Sequence, residues 1–165
     1  MDKATVISAA RFALEQAELY KGRSSEFLLD ALLFSHIRTT HDHFQRQYHV
    51  AGRSKRPKRI DFINNTNNPA VIELAHRKRG HNVGFSPQAN SSEIKKLCLQ
   101  CDKKWRYLLI LDPNSTPLKE DNLRKQYQTF KLKGRPMPRK SVRVVYVHKE
   151  QKNCFDFLWR PTSSV

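Results

Sequence analysis

Apolar positions recur at intervals of three and four from Val6 through Ala9, Ala10, Ala13 and Leu14 to Ala17, the period of a helix with one buried stripe ending near Gly22. Ser24 or Ser25 can cap a second helix, predicted to run to about Arg38 with Phe27, Leu28, Ala31, Leu32, Phe34 and Ile37 on its apolar face. The period then shortens. Ile60-Asp61-Phe62-Ile63 and the run from Ala70 to Ala75 read as strands, and the turn-forming NNTNNP between them makes an antiparallel hairpin the simplest pairing. A third helix is predicted from a cap at Ser91 or Ser92 to about Lys104, with Ile94, Leu97, Cys98, Cys101 and Trp105 facing inward. Tyr107 to Leu111 is continuously apolar and suits a strand covered on both faces. A polar helix from Leu118 to Phe130, a basic loop from Gly134 to Arg139, a β-branched strand from Val142 to Val147 and a short element from Phe155 to Trp159 complete the chain. The succession predicts an α/β fold, a central mixed β-sheet flanked by helices. It forms one domain over residues 1–165, with 1–22 an N-terminal helix and 112–165 a basic C-terminal extension of the core.

Composition changes this picture in one respect. With 38% hydrophobic residues the chain can collapse around a core, which excludes wholesale disorder. The first 50 residues carry as many acids as bases, so the whole formal excess of +16 lies in residues 51–165. Such a surplus repels itself, and nucleic-acid phosphates relieve that repulsion with release of counterions. A solvated basic surface without a ligand is the plainer reading. Two clusters are candidate nucleic-acid contacts: Arg53, Lys55, Arg56, Lys58 and Arg59, and the segment containing Lys131, Lys133, Arg135, Arg139, Lys140 and Arg143. Arg77 and Lys78 join them as phosphate ligands. Aromatic residues are sparse in both clusters, which favours a duplex or structured substrate over single strands, and DNA is the expected partner in preference to RNA. No run approaches the ~18 apolar residues of a membrane span, the N-terminus lacks a leader pattern, and three cysteines make no disulfide framework, so a cytoplasmic protein is expected.

The chemistry centres on two acids. Asp61 and Glu73 each stand among apolar residues on neighbouring predicted strands. An ionised carboxylate there costs several kcal/mol unless something offsets its charge, and Mg²⁺ or Mn²⁺ shared between the two would do so. Outward-facing acids paired with local Arg or Lys are the competing reading. Asp30 also stands out, because it interrupts FLLDALLF and its cost must be met by a partner or by facing an opening.

The order of a helix, a hairpin bearing Asp and Glu in RIDFI and VIELA, a helix and a buried strand resembles the PD-(D/E)XK nuclease superfamily, the restriction-endonuclease-like fold, over residues 24–111. The resemblance implies a metal-dependent endonuclease in which Asp61 and Glu73 bind the ion and an acid or a His of the preceding helix, here Glu26, Asp30 or His36, completes the site. The family places a water-orienting Lys two residues after the Glu, where this chain has Ala75. Some branches move that Lys to the following helix, and SSEIKKL offers Lys95 and Lys96, with Glu93 as an additional carboxylate. Lys96 is the preferred replacement because it lies beside the inward residues Ile94 and Leu97. The alternative implied by Ala75 is a non-catalytic DNA-binding or recruiting subunit, as a homodimer or within a larger complex. A zinc site from His76, His81, Cys98 and Cys101 has suitable ligands, but both cysteines continue a helical apolar stripe and need no metal.

Overall fold

The structure is a computed structural model that describes residues 1–20, 26–50, 58–76, 85–99, 103–132, 140–150 and 153–161. Two helices, α1 (Lys3–Leu19) and α2 (Glu26–Arg38), precede three strands, β1 (Phe44–Val50), β2 (Lys58–Asn64) and β3 (Ala70–His76). Helix α3 (Ser91–Cys98), strand β4 (Trp105–Asp112), helix α4 (Glu120–Thr129) and strands β5 (Val142–His148) and β6 (Cys154–Trp159) follow. The six strands form one mixed sheet in the order β1-β2-β3-β4-β5-β6. The β3, β4 and β5 strands are parallel and joined through helices, whereas β1, β2 and β6 run antiparallel to their neighbours.

Each sheet face has its own core. On one side α1 and α2 cover Phe62, Ile72, Leu74, Tyr107, Leu109, Leu111, Val145 and Val147. On the other, α3 and α4 cover Val71, Ala75, Leu108, Ile110, Val144 and Tyr146. The alternation along β3 and β4 follows from side chains pointing to opposite faces, and burial on both faces explains why Tyr107 to Leu111 is apolar without interruption. The two helical layers therefore leave the central strands dry, while the ends of the strands remain available for polar groups.

The sequence reading departs from this architecture in four places. Strand β1 was not foreseen. As an edge strand it carries Gln45, Arg46 and Gln47 and lacks the apolar signature of an interior strand. Helix α3 ends at Cys98, and Trp105 begins β4, with its indole N–H donating to Asn68 Oδ1 at 2.8 Å. On α2 the fully buried residues are Leu29, Leu33 and Ile37, an i, i+4 row, whereas Phe27 is 72% exposed. Asn90, not a serine, occupies the N-cap position of α3. The proposed caps Ser24 and Ser25 lie outside the described residues. Among the described residues no helix is long and apolar enough to cross a membrane.

Candidate active site

Strands β2 and β3 pair only from Asn64↔Ala70 to Phe62↔Ile72. Beyond that point β3 continues in register with β4 as far as His76, so the sheet forks on the β2 side. Asp61 is the first residue past the last pair. Its Oδ2 accepts the Leu74 backbone N–H at 2.7 Å, replacing a ladder hydrogen bond with a side-chain one. The carboxylate is thereby fixed inside the fork, next to Glu73.

Glu73 is wholly buried, on the side of β3 that faces α3. Lys96, near the end of that eight-residue helix, donates from Nζ to Glu73 Oε2 at 2.5 Å and to the Arg59 carbonyl at 3.0 Å. The second oxygen, Oε1, is buried without a hydrogen-bond partner among the described residues. Burial raises the Glu73 carboxyl to about 9, the Asp61 charge adds to the rise, and Lys96 opposes it. A hydrogen bond to Asp61 favours the protonated form further. Glu73 therefore retains in the fold a proton that it would release in water.

The opposite mouth of the fork is a cavity of about 310 Å³ lined by Glu26, Phe27, Asp30, Asp61 and Leu74. Asp30 forms an ion pair with Arg46 of β1. Its carboxyl is nevertheless raised, first by burial and then by Asp61, against the lowering effect of Arg46. The interruption in FLLDALLF thus has both a partner and an opening. His36 lies elsewhere, stacked on Phe12 with ring centres 4.5 Å apart.

The structure thus brings Asp61, Glu73 and Lys96 together, with Asp30 and Glu26 at the rim. Of the alternatives, Lys95 lines a separate cavity with Gln88, Ser91, Phe130 and Lys131. Glu93 accepts hydrogen bonds from the Ser92 hydroxyl at 2.8 and 2.7 Å. Arg59 and Lys140 are exposed at the surface. Lys58 begins β2. Arg143 is committed to an ion pair with Asp156. Arg53, Lys55, Arg56, Arg77, Lys78, Arg135 and Arg139 lie outside the described residues, as do His81 and Cys101 of the zinc reading. Cys98 is buried in the apolar layer beneath α3. Sequence reasoning missed Arg46, whose polar edge strand was not recognised.

The donor set suits a hard divalent cation. Glu73 Oε1, which receives no donor from another described residue, and the adjacent Asp61 carboxylate are oxygen ligands of the kind Mg²⁺ or Mn²⁺ prefers, and Lys96 supplies one positive charge against two acids. Among the described residues, no group of three or more His, Cys, Asp or Glu side chains is already gathered as a ligand cage. That arrangement is compatible with Mg²⁺, which retains several waters and takes one or two carboxylates from the protein.

No family model matches the sequence, and no curated protein matches it. A solved structure described as "Crystal structure of SSO0001" overlaps with a TM-score of 0.38 at 9% identity, covering 96% of this chain and 64% of that one. Overlap of that degree carries no argument about function.

Proposed function

We propose that this chain is a divalent-metal-dependent DNA endonuclease, with Asp61 and Glu73 as ligands for Mg²⁺ or Mn²⁺ and Lys96 as the residue that orients the attacking water. The observation that carries the reading is the contact of Lys96 with Glu73 at 2.5 Å, beside Asp61. It supplies from α3 the basic group that Ala75 cannot supply from β3. When bound, the ion would lower the pKa of a water and neutralise charge developing on the phosphodiester.

The residues themselves have separable tasks. The Leu74 N–H fixes Asp61, so its carboxylate does not reorganise when substrate arrives. Glu73 must give up its proton to act as a ligand, and Lys96 lowers the cost of that release. The Arg59 carbonyl holds the Lys96 ammonium at the fork, where one of its three donors is available for a water or a phosphate oxygen. Basic residues leading into β2 would hold the DNA backbone next to these groups.

Incubation of the pure protein with plasmid and linear DNA, with Mn²⁺ and with EDTA, tests the reading. Metal-dependent cleavage is expected. Asp61→Ala or Glu73→Ala should lower it about 10³-fold or more, and Lys96→Met about 100-fold or more. Salt-sensitive binding should persist in all three variants. Binding without cleavage in the wild type would instead identify a non-catalytic subunit, and cleavage surviving both acid substitutions would place the chemistry elsewhere.

A further inference from the structure

Phe27 lies in the first turn of α2, three residues before Asp30, and is 72% exposed. Residues at i and i+3 share a helix face, which places its ring at the mouth of the cavity that also contains Asp61. The Arg46 guanidinium, held by its ion pair with Asp30, lies over the ring at 5.2 Å from the centroid. One face of the ring is therefore covered by a cation, and the exposed area belongs mainly to the other face and the edge. A lone exposed aromatic is ordinary on a protein surface. One that is backed by arginine and shares a cavity with buried acids has a specific use.

We propose that Phe27, backed by Arg46, stacks on an unpaired DNA base next to the phosphate that a divalent ion at Asp61 and Glu73 would bind. Single strands or locally opened duplexes, such as forks and splayed ends, would then be the preferred substrate. This rests on the nuclease reading for the identity of that phosphate. The side chains lining the cavity with Phe27 include Glu26, Asp30 and Asp61, so electrostatics there do not favour a polyanion. Attraction that does not depend on phosphate charge is what such an opening requires. The π-face of a base supplies it, and it is accessible only where the base has left the duplex stack. The aromatic contact missing from the basic clusters is thus found at the site itself. Because Arg46 joins the ring to Asp30, it also fixes the height of the platform above the acids.

The test measures binding of a short single strand containing a fluorescent adenine analogue, and of a blunt duplex of the same sequence, in Ca²⁺ and again in EDTA. Wild-type protein should quench the analogue and prefer the single strand. Phe27→Ala should weaken single-strand binding about 5- to 150-fold, the range for loss of one stacked base, with little change on duplex. Phe27→Trp should restore both affinity and quenching. Thermal melts of the two variants check that the fold is intact, which the exposure of Phe27 leads one to expect. Equal affinity of Phe27→Ala and wild type for the single strand in both conditions would overturn the proposal. So would an equal loss on duplex, which points to a general docking surface. If Phe27-dependent stacking is found but Mn²⁺ elicits no cleavage, the nuclease reading falls and base recognition stands.

Discussion

Two carboxylates are wholly buried on neighbouring strands, Glu73 inside β3 and Asp112 at the end of β4, and they are treated differently. Asp112 terminates β4, where Oδ1 accepts the Asn114 backbone N–H at 3.0 Å and the Asn114 side-chain amide at 2.8 Å, and Oδ2 accepts the Tyr146 hydroxyl at 2.7 Å. Tyr146 in turn accepts the Leu118 N–H at 2.8 Å, and nearby His148 Nε2 lies 2.7 Å from the Asn114 carbonyl. Glu73, in contrast, has one cation, one neighbouring acid and an oxygen with no donor among the described residues. Complete hydrogen bonding marks Asp112 as a clasp that shapes the turn into α4. Incomplete satisfaction at Glu73 is what the proposed ion would relieve.

Substitution should separate these roles. The largest effect expected is on stability at the clasp. Asp112→Ala removes three hydrogen bonds, one from the Tyr146 hydroxyl and two from Asn114, and should cost about 3 kcal/mol or more in urea unfolding. Cleavage measured on the remaining folded fraction should be unchanged. Asp61→Ala and Glu73→Ala should remove cleavage with a smaller loss of stability than Asp112→Ala, since each takes away one hydrogen-bond acceptor, of the Leu74 N–H and of Lys96 respectively. If Asp112→Ala abolishes cleavage in fully folded protein, the division of labour between the two acids is wrong.

The proton on Glu73 supplies the next test. Its folded-state value of about 9 lies above the ordinary 4.5, so between those pH values the folded chain holds a proton that the unfolded chain has released. The folded state binds more protons there, and stability must fall as pH rises through that window, with the full contribution present below about 4.5. Glu73→Gln removes the ionisation. Its melting temperature should match that of the wild type near the lower limit and exceed it increasingly toward pH 9, by a few kcal/mol of unfolding free energy in order of magnitude. Mg²⁺ should raise the wild-type melting temperature more at alkaline than at acidic pH, since the ligand must first lose its proton, and should leave Glu73→Gln nearly unaffected. Parallel wild-type and Glu73→Gln pH profiles would show that Glu73 is ionised without difficulty.

Legibility in the sequence followed the same contrast. The hairpin bearing Asp61 and Glu73 was readable because NNTNNP is a strong turn signal between two β-rich runs, and Asn64 and Thr66 do hydrogen-bond within it. Lys96 was readable because helical spacing put it beside the buried row Ile94 and Leu97, one turn from the end of α3. The fork was not. It depends on where the β2–β3 ladder stops, and no residue type announces that Leu74 will bond to a side chain instead of a strand. Edge strand β1, and Arg46 with it, was hidden by the polar character that keeps edges from pairing with other sheets. On α2, the partly buried Leu28, Leu32 and Phe34 widen the apolar stripe beyond the row that is fully buried, so Phe27 looked internal by composition alone.

The smallest expected effects compare the two groups that donate to the buried acids. Tyr146→Phe leaves Asp112 Oδ2 without its donor and the Leu118 N–H without its acceptor, a loss of about 1–3 kcal/mol. Lys96→Met removes a charge, which at an ordinary buried ion pair would cost more. Here Glu73 can keep its proton when the cation is gone, so no isolated charge is buried, and the cost at neutral pH should remain under about 1 kcal/mol. The difference appears on titration: Lys96→Met should carry the fall in stability beyond about pH 9, where the wild-type contribution levels off, whereas Tyr146→Phe should shift the whole curve down without changing where it levels off. A Lys96→Met variant that loses more stability than Tyr146→Phe at neutral pH would mean that Glu73 stays ionised in the folded protein, and that the orphan oxygen has a partner outside the described residues.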